Sequence, residues 1–231
     1  MTIKNQAKNS MTTKTGAGSL YVIVIFMLIA FSSCQENERR LPIEGPREVL
    51  ASVSGGADTL YHTIPDFAFV NQDSSIVTQD TFSGGIYVSD FFFTTCPSIC
   101  PIMKTQMLRV YEKYKGNDQV KILSHSIDPV HDTVAVLKKY ANRLGVSSEQ
   151  WHFVTGDKEK IFELAQKSYM VSVLEDAESP GGVAHSGAFL LIDSKGRIRG
   201  HYDGTKAEEV DRLMLDMDVL LKEENLQDVK S

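Results

Sequence analysis

Apolar residues run without a break from Leu20 to Phe31 (LYVIVIFMLIAF), and no later stretch of the chain repeats that run. Its 12 residues fall short of the roughly 20 that a spanning helix needs. Lys4, Lys8 and Lys14 precede it with no acidic residue among positions 1–19, and Ser32, Ser33 and Cys34 follow. A basic start, a short apolar stretch and small residues before a cut are the pattern of a secretory signal. Residues 35–60 then turn polar, with Pro42, Pro46, Gly55 and Gly56 and little periodicity, which predicts a flexible tether.

From Tyr61 the pattern becomes that of a folded domain. Pro65–Val70 (PDFAFV) alternates as a strand, and Ser75–Thr78 is its expected hairpin partner. Ile86–Phe93 (IYVSDFFF) and Val120–Ile127 (VKILSHSI) are β-branched and aromatic, as strands buried on both faces should be. Met103–Lys115 sets Met103, Met107, Val110, Tyr111 and Tyr114 along one helical face. Thr133–Leu144 reads as a helix closed by Gly145, Trp151–Val154 as a short strand, and Lys158–Tyr169 as a helix capped by Asp157. Residues 175–184 (EDAESPGGVA) read as a loop. Ser186–Asp193 and Arg197–Tyr202 pair around Ser-Lys-Gly, and Lys206–Lys222 is a closing amphipathic helix. This order predicts an α/β chain of thioredoxin-like fold, a central mixed sheet flanked by helices with an N-terminal β-hairpin extension.

Bulk composition acts mainly by exclusion. Apolar residues make up 42% of the chain, enough for an ordinary core. A net charge of -6 and the lack of any long Lys/Arg run argue against a nucleic-acid partner. Three cysteines are too few for a disulfide scaffold, and they divide between Cys34 and the close pair Cys96 and Cys100.

That pair carries the candidate chemistry. Cys96-Pro-Ser-Ile-Cys100-Pro101 falls between a buried strand and a helix start, where unpaired N–H groups and the helix dipole favour thiolate. Pro101 suits an early helical position. The C-x-x-x-C spacing is one residue longer than the C-x-x-C of disulfide oxidoreductases, so the pair reads as a redox couple or as a clamp for a soft metal ion. His185, in Gly181-Gly-Val-Ala-His185-Ser-Gly, stands where the chain begins the terminal hairpin. In a thioredoxin-like fold that segment faces the cysteine turn; the other reading is a surface imidazole in a glycine-rich loop.

Asp128, in Ser126-Ile-Asp128-Pro129, is expected close to the same convergence. It would orient His185 as an outer acceptor or meet a partner protein, or else cap the helix near Thr133. Met103 and Met107 follow the cysteines at i,i+4, but a face packed on a sheet needs apolar residues there anyway. His125 and His152 lie within strands and read as structural. His62 and His131 sit in loops with no pattern tying them to the cysteines, and His201 has no assignment. Glu175, Asp176 and Glu178 form an acidic loop, read as solvated. No Gly-rich phosphate loop or Ser-His-Asp pattern is present, and Thr94 and Thr95 before Cys96 do not supply a peroxidase motif.

At this point the chain resembles the SCO/SenC family. The similar stretches are Phe92-Phe-Thr-Thr-Cys-Pro-Ser-Ile-Cys-Pro, Ser126-Ile-Asp-Pro, Trp151-His-Phe-Val-Thr-Gly, His185-Ser-Gly-Ala-Phe-Leu-Leu-Ile-Asp and Tyr202-Asp-Gly, in family order over residues 64–222. The resemblance implies a copper protein, holding Cu(I) or Cu(II) through Cys96, Cys100 and His185. It would assist assembly of the dinuclear copper centre of cytochrome c oxidase, with the copper-bearing subunit II as partner and a thiol reductant to keep the cysteines reduced. The alternative function is an extracytoplasmic thiol–disulfide oxidoreductase using Cys96 and Cys100. Separately, Phe-Ser-Ser-Cys resembles a bacterial lipobox, with Phe31 in place of the usual leucine. That implies a signal peptide over residues 1–33 and lipid-modified Cys34 followed by a tether through residue 60. A copper-binding domain over 61–224 and a polar tail over 225–231 would complete a cell-membrane lipoprotein facing the extracytoplasmic (periplasmic) side.

Overall fold

The central strands of this chain are short stretches rich in aliphatic and aromatic residues, and the chain stacks them side by side. The computed structural model describes residues 39–51, 57–175 and 183–228; the signal segment, Cys34, Asp176 and Glu178 lie outside the described residues. The elements are β1 (Arg47–Ala51), β2 (Ala57–Tyr61), β3 (Ala68–Asn71), β4 (Ile76–Thr78), β5 (Ile86–Phe92), α1 (Ile99–Lys113), β6 (Val120–Ser126), α2 (Val134–Leu144), β7 (Trp151–Thr155), α3 (Lys158–Glu163), β8 (Val173–Glu175), β9 (Val183–His185), β10 (Ala188–Ile192), β11 (Ile198–Asp203) and α4 (Ala207–Asp228). A seven-stranded sheet runs β11-β10-β5-β6-β7-β3-β4. Its centre, β5-β6-β7, is parallel, and antiparallel pairs close it on both sides. The expected mixed sheet, flanking helices and β3–β4 hairpin are all present.

Parallel strands bury both faces. Along β5, Asp90 and Phe92 face α1 and α2, where they meet Lys104 and Tyr140. Tyr87 and Phe91 face the opposite side, where they meet Tyr169. Helix ends follow local chemistry. Thr133 accepts the Val136 N–H at 3.4 Å, Asp157 accepts that of Lys160 at 3.0 Å, and Gly145 terminates α2 at φ +72° in the left-handed region that glycine tolerates.

Four expectations needed revision. First, α1 begins at Ile99 rather than Met103. Pro101 is its third residue, where a backbone N–H would have no intrahelical partner. Second, the helix expected through Tyr169 is α-helical only to Glu163 and continues as a π turn over Leu164–Ser168. Third, the supposed loop 175–184 includes strand residues at both ends, since β8 and β9 pair through Val173 and His185.

Fourth, part of the tether is folded. β1 and β2 form their own antiparallel pair, and residues 39–44 lie along β11 and α4. Leu41 is buried, and its N–H donates to Glu223 at 2.6 Å. The Glu44 N–H donates to the Ile198 carbonyl at 2.8 Å. Buried Arg199 donates to the carbonyls of Leu41 (2.7 Å) and Pro42 (2.9 Å) and also pairs with Asp193 and Glu223. The short stretch Leu41-Pro42-Ile43 among polar residues gives no periodic signal, and the groups that hold Leu41 come from the far end of the sequence. Among the described residues no helix is long and apolar enough to cross a membrane.

Candidate metal centre

The chain leaves β5 at Phe92, turns, and enters α1 at Ile99, so Cys96 and Cys100 bracket the junction. Both are thiols in this structure. They occupy unequal environments: Cys96 is 8% exposed and Cys100 2%. The Cys96 N–H donates to the Phe93 carbonyl at 3.3 Å, and its Sγ lies 3.6 Å from Ser98 Oγ. Burial alone would raise the Cys96 thiol. The backbone N–H groups of Cys100 and Ser98 and the Ser98 hydroxyl outweigh it and hold the thiol below its ordinary value. Burial dominates at Cys100, which is pushed up to about 12, with the Cys96 sulfur adding to the rise. Cys96 is therefore the more readily ionised of the two, and Cys100 keeps its proton.

The His185 backbone is in β9, opposite Val173; its side chain lies outside the described part of the structure. The residues that follow it approach α1. Ser186 N–H donates to the Ser172 carbonyl at 3.1 Å, and the Gly187 carbonyl accepts from Gly204 at 2.7 Å. Gly187 is so close to its neighbours that an added Cβ would stand 2.9 Å from Thr205 Cγ2 and 3.8 Å from Ile99 Cδ1. Ile99, Ser186, Gly187, Asp203 and Thr205 thus line one open groove beside the cysteine turn. Among the described side chains, which do not include that of His185, no three His, Cys, Asp or Glu gather closely enough to hold a metal ion.

The structure also shows that Asp132 holds the cysteine turn. The wholly buried Asp132 carboxylate accepts the Thr94 N–H (3.0 Å), the Thr94 hydroxyl, the Ser126 hydroxyl (2.6 Å) and His131 Nδ1 (3.2 Å). It therefore joins the segment two residues before Cys96 to the end of β6. Asp128 acts through its backbone: its carbonyl accepts the N–H groups of His131 and Asp132. It is not the helix cap, because Thr133 caps α2 itself.

A second buried carboxylate underlies the site. Asp90 accepts from Lys104 Nζ at 2.5 Å and from the Ser124 hydroxyl. The Lys104 ammonium also lies 4.1 Å from the Phe92 ring centre. Lys104 is on α1 one turn past Cys100 and has only 3% of its side chain exposed. Nothing in the sequence marked it, because a lysine between apolar helix positions ordinarily reads as solvated. Met103 and Met107 are wholly buried, as a core face requires. His125 and His152 are buried as well. His62 meets the Ser168 carbonyl at 2.7 Å, and His201 meets Glu44 at 2.5 Å.

A mixed sheet with a reduced cysteine pair where a central strand passes into a helix defines a thioredoxin-like dithiol protein. The SCO1/SenC family model matches residues 56–217, and the chain belongs to that family. It is 33% identical over 162 residues to the SCO1 protein homolog of Bacillus subtilis (strain 168), covering 69% of this chain and 83% of the relative. BsSco, described as a member of the Sco family of cytochrome c oxidase assembly proteins with a disulfide switch, superposes with a TM-score of 0.61. It is 31% identical, over 69% of this chain and 93% of its own. Arabidopsis thaliana ScoI with copper bound gives a TM-score of 0.56 at 26% identity, covering 71% of this chain and 98% of that one.

Proposed function

We propose that the protein is a copper metallochaperone. It binds one copper ion through Cys96, Cys100 and His185 and passes it to the dinuclear copper centre on subunit II of cytochrome c oxidase. The observation that carries this reading is the unequal thiol pair beside the groove lined by Ser186 and Gly187, the residues that follow His185. Two thiolates and an imidazole suit Cu(I), and one further ligand would serve Cu(II). The copper-bound Arabidopsis relative and the oxidase-assembly description of BsSco agree with it.

The residues divide the work of taking up the ion. Cys96, the more readily ionised of the pair, offers the first sulfur. Cys100 gives up its proton as the metal arrives, so uptake releases a proton and affinity rises with pH. Asp132 keeps Thr94, and through it the turn, in place. Asp128 remains available as an outer acceptor toward His185. A Cys96–Cys100 disulfide would hold no Cu(I), so a thiol reductant belongs to the cycle.

The same asymmetry favours a second reading, a thiol–disulfide oxidoreductase that keeps copper-site cysteines reduced. One nucleophilic thiolate and one buried resolving thiol are what such an enzyme requires. The anchoring scheme completes the proposal: cleavage after residue 33, lipid on Cys34, and the domain outside the cytoplasm at the membrane. Three acyl chains would give stable attachment, where one is marginal.

Titration of the reduced protein with copper separates the two functions. Tight binding of a single equivalent, lost in Cys96→Ser, Cys100→Ser and His185→Ala, is expected of the chaperone. Weak binding that ignores His185, together with rapid dithiol exchange, would establish the reductase instead.

A further inference from the structure

Among the described residues, the histidine side chains other than that of His131 are enclosed or committed to a partner. His125 is enclosed by Phe67, Phe69, Phe91 and Tyr169. His152 Nδ1 meets Asn71 at 3.3 Å, His62 Nε2 meets a carbonyl, and His201 is paired with Glu44. His131 differs. Its side chain is 51% exposed, on a loop whose neighbouring Val130 is 84% exposed. Its Nδ1 faces the Asp132 carboxylate at 3.2 Å. In the neutral ring a carboxylate at that contact calls for the proton on Nδ1, with Nε2 directed away from the carboxylate, the arrangement that metal-binding histidines usually have.

The orienting carboxylate is also the one that holds the cysteine turn. Asp132 Oδ1 receives His131 and the Thr94 hydroxyl, while Oδ2 receives the Thr94 N–H and the Ser126 hydroxyl. Thr94 is two residues from Cys96, a backbone distance of at most about 7 Å. The accessible imidazole and Thr94, two residues before Cys96, are thereby bonded to a single buried carboxylate. Cys96 and Cys100, at 8% and 2% exposed, are both less accessible than this imidazole.

We propose that His131 is a capture ligand: its Nε2 takes the incoming copper ion from water or from a carrier and hands it inward to Cys96. This rests on the copper reading above. The step is ligand exchange only. Imidazole displaces a water or carrier ligand, thiolate then displaces imidazole, and no electron moves. One nitrogen donor cannot retain the ion against two thiolates, so His131 governs the rate of loading rather than its end point.

The test has two arms. In the full-length Cys96→Ser/Cys100→Ser protein, substoichiometric Cu(II) should broaden the imidazole NMR resonances of His131 before those of His62 and His201. In the otherwise native reduced protein, His131→Asn retains an amide that can donate to Asp132 but lacks the outward nitrogen. It should slow copper uptake from a Cu(I)–bicinchoninate complex about tenfold, with final affinity and thermal midpoint unchanged. His131 broadening no earlier than the other two, or His131→Asn loading at the parental rate, would overturn the inference. A native protein that takes up no copper while His131 is still broadened first would instead sink the chaperone reading and leave His131 standing as a metal ligand.

Discussion

The two faces of the central sheet handle buried ionisable groups in opposite ways. On the face that supports the cysteines, Asp90 is met by Lys104, with Ser124 and the Phe92 ring completing the enclosure. On the other face, His125 stands one residue along from Ser124 with neither ring nitrogen hydrogen-bonded, stacked on Phe91 at 4.9 Å. Burial pushes its pKa down to about 3, so it remains neutral. A carboxylate beneath the site is matched by a cation, and an imidazole away from it gives up its charge. The first solution is vulnerable to mutation and the second to acid.

Breaking the ion pair should have the largest effect. Lys104→Met leaves Asp90 buried without its cation and is expected to cost about 3–5 kcal/mol in denaturant unfolding. Adding Asp90→Leu to it should recover most of that loss, since the uncompensated charge is gone. If the single variant is as stable as the parent, the charge-matching account of this face fails.

Acid tests the opposite face. His125 has a folded pKa below its unfolded value near 6.5, so the unfolded chain binds the extra proton between pH 6.5 and about 3. Stability is complete above that window and falls as pH drops through it, by about 3 kcal/mol at pH 4. His125→Phe should flatten this acid limb, leaving the shallower contribution of His152, itself pushed down to about 4. An unchanged slope would show that His125 is hydrated in solution.

Asp132 belongs to neither pattern, because its described partners are hydroxyls, an N–H and a half-exposed imidazole. Asp132→Ala should cost about 1–3 kcal/mol. Its particular signature is faster hydrogen exchange at the Thr94 amide. The smallest effect is expected at Ser98. Cys96 should react with iodoacetamide ahead of Cys100, and Ser98→Ala should slow it about threefold at neutral pH by removing one stabilising hydroxyl. The Cys96 rate should fall with decreasing pH as its thiolate is protonated. Equal alkylation of the two cysteines would contradict the asymmetry between them.

The elements most legible in the sequence were those fixed by local pattern. Continuous β-branched and aromatic runs located β5 and β6, the Met103–Tyr114 face located most of α1, and Asp157 and Gly145 marked helix ends through their own backbone chemistry. The cysteine pair was legible because its spacing and its flanking strand are contiguous in the chain. Asp128 and Asp132 illustrate the limit. Both are aspartates in one short loop, and only burial distinguishes the one that bonds to Thr94 and Ser126. Lys104, Asp90 and Ser124 come from three separate elements, so their network exists only once the sheet has assembled. The β8–β9 pair escaped notice because each strand has only three residues.

Arg199 carries a practical lesson about where this domain can be cut. Two of its acceptors, the Leu41 and Pro42 carbonyls, lie well upstream of Tyr61, where the hydrophobic pattern suggests that folding starts. A soluble version begun at Tyr61 would strip an almost wholly enclosed guanidinium of those carbonyls and uncover the surface that Leu41 now seals. A version begun at Arg39 would preserve both, and the stability difference between the two truncations would measure how far a supposed leash is in fact part of the globule.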